Sequence, residues 1–252
     1  MRIAVAGGTG TVGRHVVDVL REQGHAPVVL SRSTGVDLVG GVGLAAVLDG
    51  VDAVVDVTSV QARTAASSVA FFESVTLNLQ RAEAQLGVRH HVLLSIVGSD
   101  KAPYAYYAGK ARQEQLVEGG AVPSTILRAT QFHEFAAQIR SQLRVGPISI
   151  VPAMRSQPIA ARTVAERLVE LAVAAPQGRV PDVAGPAEHR MADLVRRLAE
   201  AKGWAGPVLE LPIPGHWGRA LRDGTILPGP TAELRGPGFA DWLASGAGGI
   251  DA

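Results

Sequence analysis

The sequence predicts an α/β fold, a doubly wound parallel sheet carrying a small C-terminal substrate lobe, on three observations. Short, wholly apolar runs alternate with longer stretches of helical period over the first two thirds of the chain. The first apolar run leads straight into a glycine cluster, and an amphipathic stretch follows at once. From Gly206 onward this alternation gives way to Pro and Gly. Continuous apolar strands separated by helices require a parallel sheet covered on both faces.

The elements follow in order. Residues 3–6 are apolar, too short for a helix and bounded by glycine, so they read as the first strand. Val12, Val16, Val19 and Leu20 recur at helical spacing and stop at Gly24. Residues 27–30 and 53–57 are the second and third strands. Phe72, Val75, Leu79, Ala82 and Leu86 share one face of a long helix that Gly87 ends. Residues 92–97 and 125–127 are the fourth and fifth strands, and His90 and His91 are placed at the sheet edge before the fourth. Residues 131–144 read as a short helix and 147–151 as a lone strand. Val164, Leu168, Leu171, Ala172 and Ala175 regain helical spacing, 180–184 is a sixth strand, and 188–202 a helix ending at Gly203. The expected organisation is a single domain: a core of 1–130 and 158–203, a substrate-side lobe of 131–157 and 204–246, and a frayed tail at 247–252.

Composition removes several classes of function. The chain has 252 residues, 47% of them hydrophobic and 19% charged, and no cysteine. That excludes a disulfide framework, a thiolate metal site and a cysteine nucleophile. Lys+Arg is 24 against Asp+Glu 23, which gives no reason to expect nucleic acid or a membrane surface as partner. No apolar run is long enough to span a bilayer, and no secretory signal is evident, so a cytoplasmic protein is expected, as monomer or homodimer. Lys101, Lys110 and Lys202 are the lysines of the chain, which makes each one worth inspecting.

Residues 7–13 read Gly7-Gly8-Thr9-Gly10-Thr11-Val12-Gly13 and fit both Gly7-x-x-Gly10-x-x-Gly13 and Gly8-x-Gly10-x-x-Gly13. Such glycines allow a sharp turn, close approach of a pyrophosphate to the backbone, and tight packing of helix on strand. The free N–H groups at the helix start then face the phosphates. Thr9, Thr11 and Val12 belong to this cradle, and Thr58, after the third strand, is placed with the dinucleotide contacts. No acid follows the second strand, where an NAD site usually places one for the ribose 2′-hydroxyl. Ser31-Arg32-Ser33 stands there instead, suited to a 2′-phosphate and hence to NADP(H); the alternative for Arg32 is a solvated surface arginine. Asp37 is a candidate for the adenine amino group. Asp56, inside an apolar strand, must find a partner and is read as structural.

Tyr106 and Lys110 have a Tyr-x-x-x-Lys spacing, which puts them on one helix face a turn apart. A nearby ammonium lowers a phenol pKa and so favours proton transfer near neutral pH. Ser95, near the end of the fourth strand, is a candidate for holding a substrate oxygen, and Ser99 is a second. The bland alternative is an aromatic patch of Tyr104, Tyr106 and Tyr107 beside a surface lysine.

With these residues the chain resembles an atypical, extended-type short-chain dehydrogenase/reductase of the NAD(P)-binding, NmrA-like kind. The resemblance rests on residues 6–13, on Ser31-Arg32-Ser33, on the strand ending in Ser95, on residues 106–110, and on Arg128-Ala129-Thr130-Gln131-Phe132. It implies a Rossmann-type fold and a reduced nicotinamide that gives hydride to a carbonyl, quinone or activated alkene. By position it implies Gly7, Gly10 and Gly13 at the phosphate turn, Arg32 at the 2′-phosphate, Lys110 on the nicotinamide ribose and Tyr106 as proton donor. Ser95 lies 11 positions before Tyr106, closer than the superfamily's usual serine.

Gln131, Phe132, His133 and Phe135 follow the fifth strand at the carboxyl edge, where open α/β sheets bind ligands, and are the expected substrate-pocket residues. His133-Glu134 is not a zinc motif, since position 137 is alanine, and no metal is expected. Trp217 either caps the pocket or is plain core. The leading expectation is an NADPH-dependent reductase of a small-molecule carbonyl, quinone or enone. The alternatives are a non-catalytic NADP(H)-binding redox sensor and, less favoured, an epimerase or dehydratase with bound NAD.

Overall fold

The computed structural model describes residues 1–62 and 64–246, so the tail expected at 247–252 lies outside the described residues. In chain order the elements are β1 (Arg2–Ala6), α1 (Thr11–Glu22), β2 (Ala26–Leu30), a single 3-10 turn (Arg32–Thr34), α2 (Leu44–Leu48), β3 (Ala53–Asp56), α3 (Ala65–Leu86), β4 (His90–Ile96), α4 (Tyr106–Glu118) and β5 (Ser124–Ala129). Next come α5 (Phe135–Gln142), β6 (Arg144–Val145), β7 (Ile148–Pro152), β8 (Arg155–Ser156), α6 (Ala161–Val173), β9 (Gly178–Arg179) and β10 (Val183–Ala184). The chain closes with β11 (His189–Arg190), α7 (Met191–Ala201), β12 (Val208–Leu211), α8 (Gly215–Arg222), β13 (Glu233–Leu234) and α9 (Phe239–Ala244). None of these helices is long and apolar enough to cross a membrane.

The chain forms two compact units, one of Met1–Arg128 with Val164–Pro181, the other of Ala129–Thr163 with Asp182 onward. In the first unit the strands are parallel in the order β2, β1, β3, β4, β5, with β9 beside β5. The order reverses at β1, because β2 lies on one side of it and β3 on the other. This is the topological switch point at which open α/β sheets bind ligands. The register aligns Ala6 with Asp56 and Asp56 with Leu93. Side chains alternate along a strand, so His91, Leu93 and Ser95 face the same side as Asp56. That side is covered by helices: Val54 packs with Val75 and Leu79 of α3, and Leu93 packs with Val117 of α4. The sheet positions Ile3, Ala4, Val5, Ala6, Val54 and Val55 are all fully buried, as a sheet covered on both faces requires.

Three sequence expectations change. His90 and His91 lie inside β4, between β3 and β5, and are buried, not placed at a sheet edge. Of the strand expected at 180–184 only Val183 and Ala184 form one, as β10, with β9 just before the expected start, because Pro181 has no N–H to carry a ladder through. The segment after Gly206 is not wholly irregular: Pro207 precedes β12 and Pro212 follows it, and Pro214 and Gly238 are the N-cap residues of α8 and α9.

In the second unit β7 pairs parallel with β12 and antiparallel with β6. The α7 helix, with Leu194, Val195 and Leu198 buried, packs on this small sheet. Val183 of β10 pairs with Ala129, and β10 pairs with β13.

Candidate active site

The glycine loop joins β1 to α1. Gly7 takes a φ of +80°, and a Cβ there would lie 2.9 Å from the Val57 carbonyl oxygen. A Cβ on Gly13 would lie 2.1 Å from the Gly7 carbonyl oxygen, so α1 sits against the loop at a distance only glycine permits. Gly10 is the N-cap residue of α1, contributes no side-chain cap, and no acid occupies the first turn. The first backbone N–H groups of α1, with the positive end of the helix dipole, are thus left to an anion. This cradle fits a pyrophosphate, with Gly7, Thr9, Gly10, Thr11, Val12 and Gly13 around it.

After β2 the backbone folds into the 3-10 turn. Its side chains bond one another: Ser31 Oγ lies 2.8 Å from Ser33 Oγ, and the Ser31 N–H donates to Thr34 Oγ1 at 3.1 Å. Arg32 stands exposed at the start of this turn. Asp37, also exposed, accepts the Val39 N–H at 3.0 Å and so closes its own turn. Thr58 is held differently. Its N–H and its hydroxyl both donate to Asp56 Oδ1, at 2.9 and 2.7 Å. Asp56 is fully buried, and these bonds provide the partners that its place in an apolar strand demands.

Tyr106 is the first residue of α4 and follows Ala105, whose φ of 45° is the positive-φ value of a non-glycine residue among those described. Ser68 Oγ donates to the Tyr106 carbonyl oxygen at 3.3 Å. The phenol is pushed up to about 12 by burial, against a hydrogen bond with Ser59, and the Asp56 carboxylate adds to the rise. The expected lowering by Lys110 is absent from the groups that move this phenol. Lys110 Nζ donates to Gln113 Oε1 at 2.5 Å and lies 4.7 Å from the centre of the Phe72 ring. Burial pushes Lys110 down to about 8, against the pull of the Asp56 and Glu114 carboxylates. Gln113 Nε2 in turn donates to Asp56 Oδ2 at 2.9 Å.

The two serine candidates separate. The Ser99 hydroxyl donates to Glu114 Oε1 at 3.1 Å, and that carboxylate also takes two bonds from Arg128, at 2.8 and 2.5 Å. Among the described residues the Ser95 hydroxyl is buried with no hydrogen-bond partner, on the sheet face that carries Asp56. Sequence reasoning did not select Gln113 or Phe72. The signal for Gln113 was its place three residues after Lys110 on one helix, together with an unpaired carboxylate in β3.

The remaining candidates lie in the second unit. Gln131 is buried and accepts from Ser156 Oγ at 2.9 Å. His133 is buried, with Nε2 3.1 Å from the Pro237 carbonyl oxygen and its ring 5.3 Å from those of Phe239 and Trp242. Burial pushes it down to about 4, against the bond to Pro237, and the nearby His189 adds to the fall. A neutral imidazole packed between aromatic rings is a core group with one hydrogen bond. Phe132, Phe135 and Trp217 are half-buried.

Residues 3–118 match the model of the NAD dependent epimerase/dehydratase family. The curated Photosystem II assembly factor Ycf39 of Synechocystis sp. is 33% identical over 117 residues, 41% of this chain and 36% of that protein, so the chain spans about a third of that relative's length. A short-chain dehydrogenase/reductase superfamily protein of Agrobacterium tumefaciens with bound NAD superposes with a TM-score of 0.70 at 19% identity, over 98% of this chain and 96% of that one. An NADPH-dependent quinone oxidoreductase of Escherichia coli gives a TM-score of 0.72 at 15% identity, over 96% and 98%. The UDP-glucose 4-epimerase of Thermus thermophilus with NAD gives 0.68 at 20%, over 98% and 93%. The chain therefore matches the NAD dependent epimerase/dehydratase family over residues 3–118 and shares its fold with the solved structures named above.

Proposed function

We propose that the chain is an NADPH-dependent reductase that passes hydride to a small carbonyl, quinone or activated alkene. The observation that carries the reading is the buried Lys110, one helical turn beyond Tyr106, in the same compact unit as the open glycine loop. Gly7, Gly10, Gly13 and the start of α1 hold the pyrophosphate. Arg32, with Ser31 and Ser33, holds the 2′-phosphate. Lys110 bonds the nicotinamide ribose. When bound, the reduced nicotinamide supplies the hydride. Ser95 holds the acceptor oxygen, and Tyr106, a phenol that stays protonated at neutral pH, gives its Oη proton to that oxygen as charge develops there. Water then returns the proton to Tyr106. The family matched over residues 3–118 and the fold neighbours named for NAD or NADPH support a nicotinamide dinucleotide as cofactor.

The relative named as an assembly factor favours a second reading, an NADP(H)-binding regulator without turnover. Titration of the purified chain with NADPH and NADH, followed by a panel of quinones, aldehydes and enones, separates the two. NADPH binding at least tenfold tighter than NADH, with NADPH oxidation by one acceptor class, is expected. Tight NADPH binding with no oxidation across the panel overturns the reductase and leaves the regulator. Binding of neither overturns both.

A further inference from the structure

A buried line of polar groups runs from the strand end under the glycine loop to Lys110. A Cβ on Gly7 would lie 3.1 Å from Thr58 Cα. Thr58 gives two bonds to one oxygen of Asp56, Gln113 gives one to the other, and Gln113 accepts from Lys110. Asp56, Gln113 and Lys110 are 0%, 0% and 2% exposed, so water does not compete for these bonds.

The chemistry of the ends dictates the middle. A carboxylate only accepts and an ammonium only donates, so a primary amide joins them in a single orientation, N–H₂ toward Asp56 and oxygen toward Lys110. A flipped amide would set donor against donor and acceptor against acceptor. Glutamine therefore holds an acceptor oxygen on Lys110, anchored by its bond to Asp56, while keeping the two charges apart.

The other groups around Lys110 do not replace this bridge. Glu114, on the same helix, spends its carboxylate on Arg128 and Ser99. Tyr106, a turn earlier, is neutral. From α3, Phe72 offers a ring face. From β4, His91 is bound through Nδ1 to Glu83 of α3 at 2.9 Å, and it is held above the usual histidine range by Glu83 against its own burial. The Lys110 ammonium in turn works against protonation of His91.

We propose that Gln113, anchored on Asp56, is a positioning residue that sets both the place and the charge of the Lys110 ammonium and ties it to the strand end on which the glycine loop rests. Its bearing on the cofactor depends on the reading that Lys110 contacts the bound dinucleotide.

With three lysines in the chain, a lysine-labelled sample gives a tractable NMR pH titration, and Lys110→Met assigns the signal. Gln113→Leu is expected to lower the Lys110 midpoint by about one pH unit, a tenfold loss of proton affinity, and Gln113→Glu to raise it by a similar amount. A cooperative urea-unfolding transition reports that each variant is folded. NADPH binding at pH 7.5 weakens about tenfold in Gln113→Leu and less in Gln113→Glu. If Gln113→Leu does not fold, Asp56→Asn carries the same expected downward shift. A Lys110 midpoint that stays in place in the folded variants overturns the proposal. The NMR arm uses no dinucleotide, so the expected shifts in a chain that binds no NADPH uphold the hold of Gln113 on Lys110 and overturn the reductase reading alone.

Discussion

Gly109 and Ser68 mark the point where α4 crosses α3: a Cβ on Gly109 would stand 2.2 Å from Ser68 Oγ and 2.5 Å from the Phe72 ring. The missing side chain is what lets the next residue, Lys110, lie over Phe72. Gly109→Ala should overpack this crossing and destabilise the chain by about 1–3 kcal/mol in urea unfolding, despite alanine's better helix propensity. A variant as stable as the wild type would mean that α3 moves aside freely.

Arg32 is exposed, so its removal should leave stability unchanged. A charge-assisted bond to a phosphate contributes roughly 1.5–3 kcal/mol, about tenfold to a hundredfold in affinity. Arg32→Ala is expected to weaken NADPH by that factor and to leave NADH alone. Parallel calorimetric titrations of the two dinucleotides check it, and equal losses would count against a 2′-phosphate contact.

Tyr106→Phe should keep dinucleotide affinity and lower kcat by roughly 10²–10⁴, the usual contribution of a positioned proton donor. The pH profile then has a single alkaline limb in the accessible range. Lys110, pushed down to about 8 by burial, loses its charge there, whereas Tyr106, pushed up to about 12 by burial, stays protonated. Dinucleotide binding should fall about tenfold from pH 7 to pH 9.5 in wild type. It should not change in Lys110→Met, which is weak throughout.

His133 makes stability depend on acid. Its folded pKa is about 4 against 6.5 for the free ring. Below 6.5 the unfolded chain takes up a proton that the folded chain refuses. The contribution is complete above pH 6.5 and lost as pH falls through 4, and its ceiling is about 3 kcal/mol. His90 acts with the same sign and His91 with the opposite one. The informative quantity is therefore a difference. His133→Phe should flatten the fall in urea-derived stability between pH 6.5 and 4.5 relative to wild type.

Much of the first unit is legible in the sequence, for reasons these residues make plain. Residues 3–6 and 53–56 are strands because such short apolar runs suit a sheet covered on both faces, and Gly7 and Gly13 stand where a side chain would strike backbone. The helix carrying Tyr106 and Lys110 is where the spacing puts it. What Lys110 touches is not legible. The spacing pairs it with Tyr106, but its hydrogen bond goes to a glutamine of the same helix that is itself bonded to Asp56, and only the depth of α4 on the sheet decides that. His133 shows the same limit. Position alone offers it to a ligand, whereas Phe239 and Trp242, about a hundred residues later, enclose it. The second unit is least legible because strands of two residues, such as β8 and β11, have no period to read.

The burial of Lys110 gives the chain an internal clock. Lys101 and Lys202 are exposed, while Lys110 is sealed between α3 and α4. An amine-acylating reagent will tag the exposed N-terminal amine and the two outer lysines at once, and Lys110 only when the α3–α4 layer parts. The rate at which the fourth increment of mass appears therefore measures how often that layer opens. It does so on the native chain, with no engineered label and no cysteine to interfere.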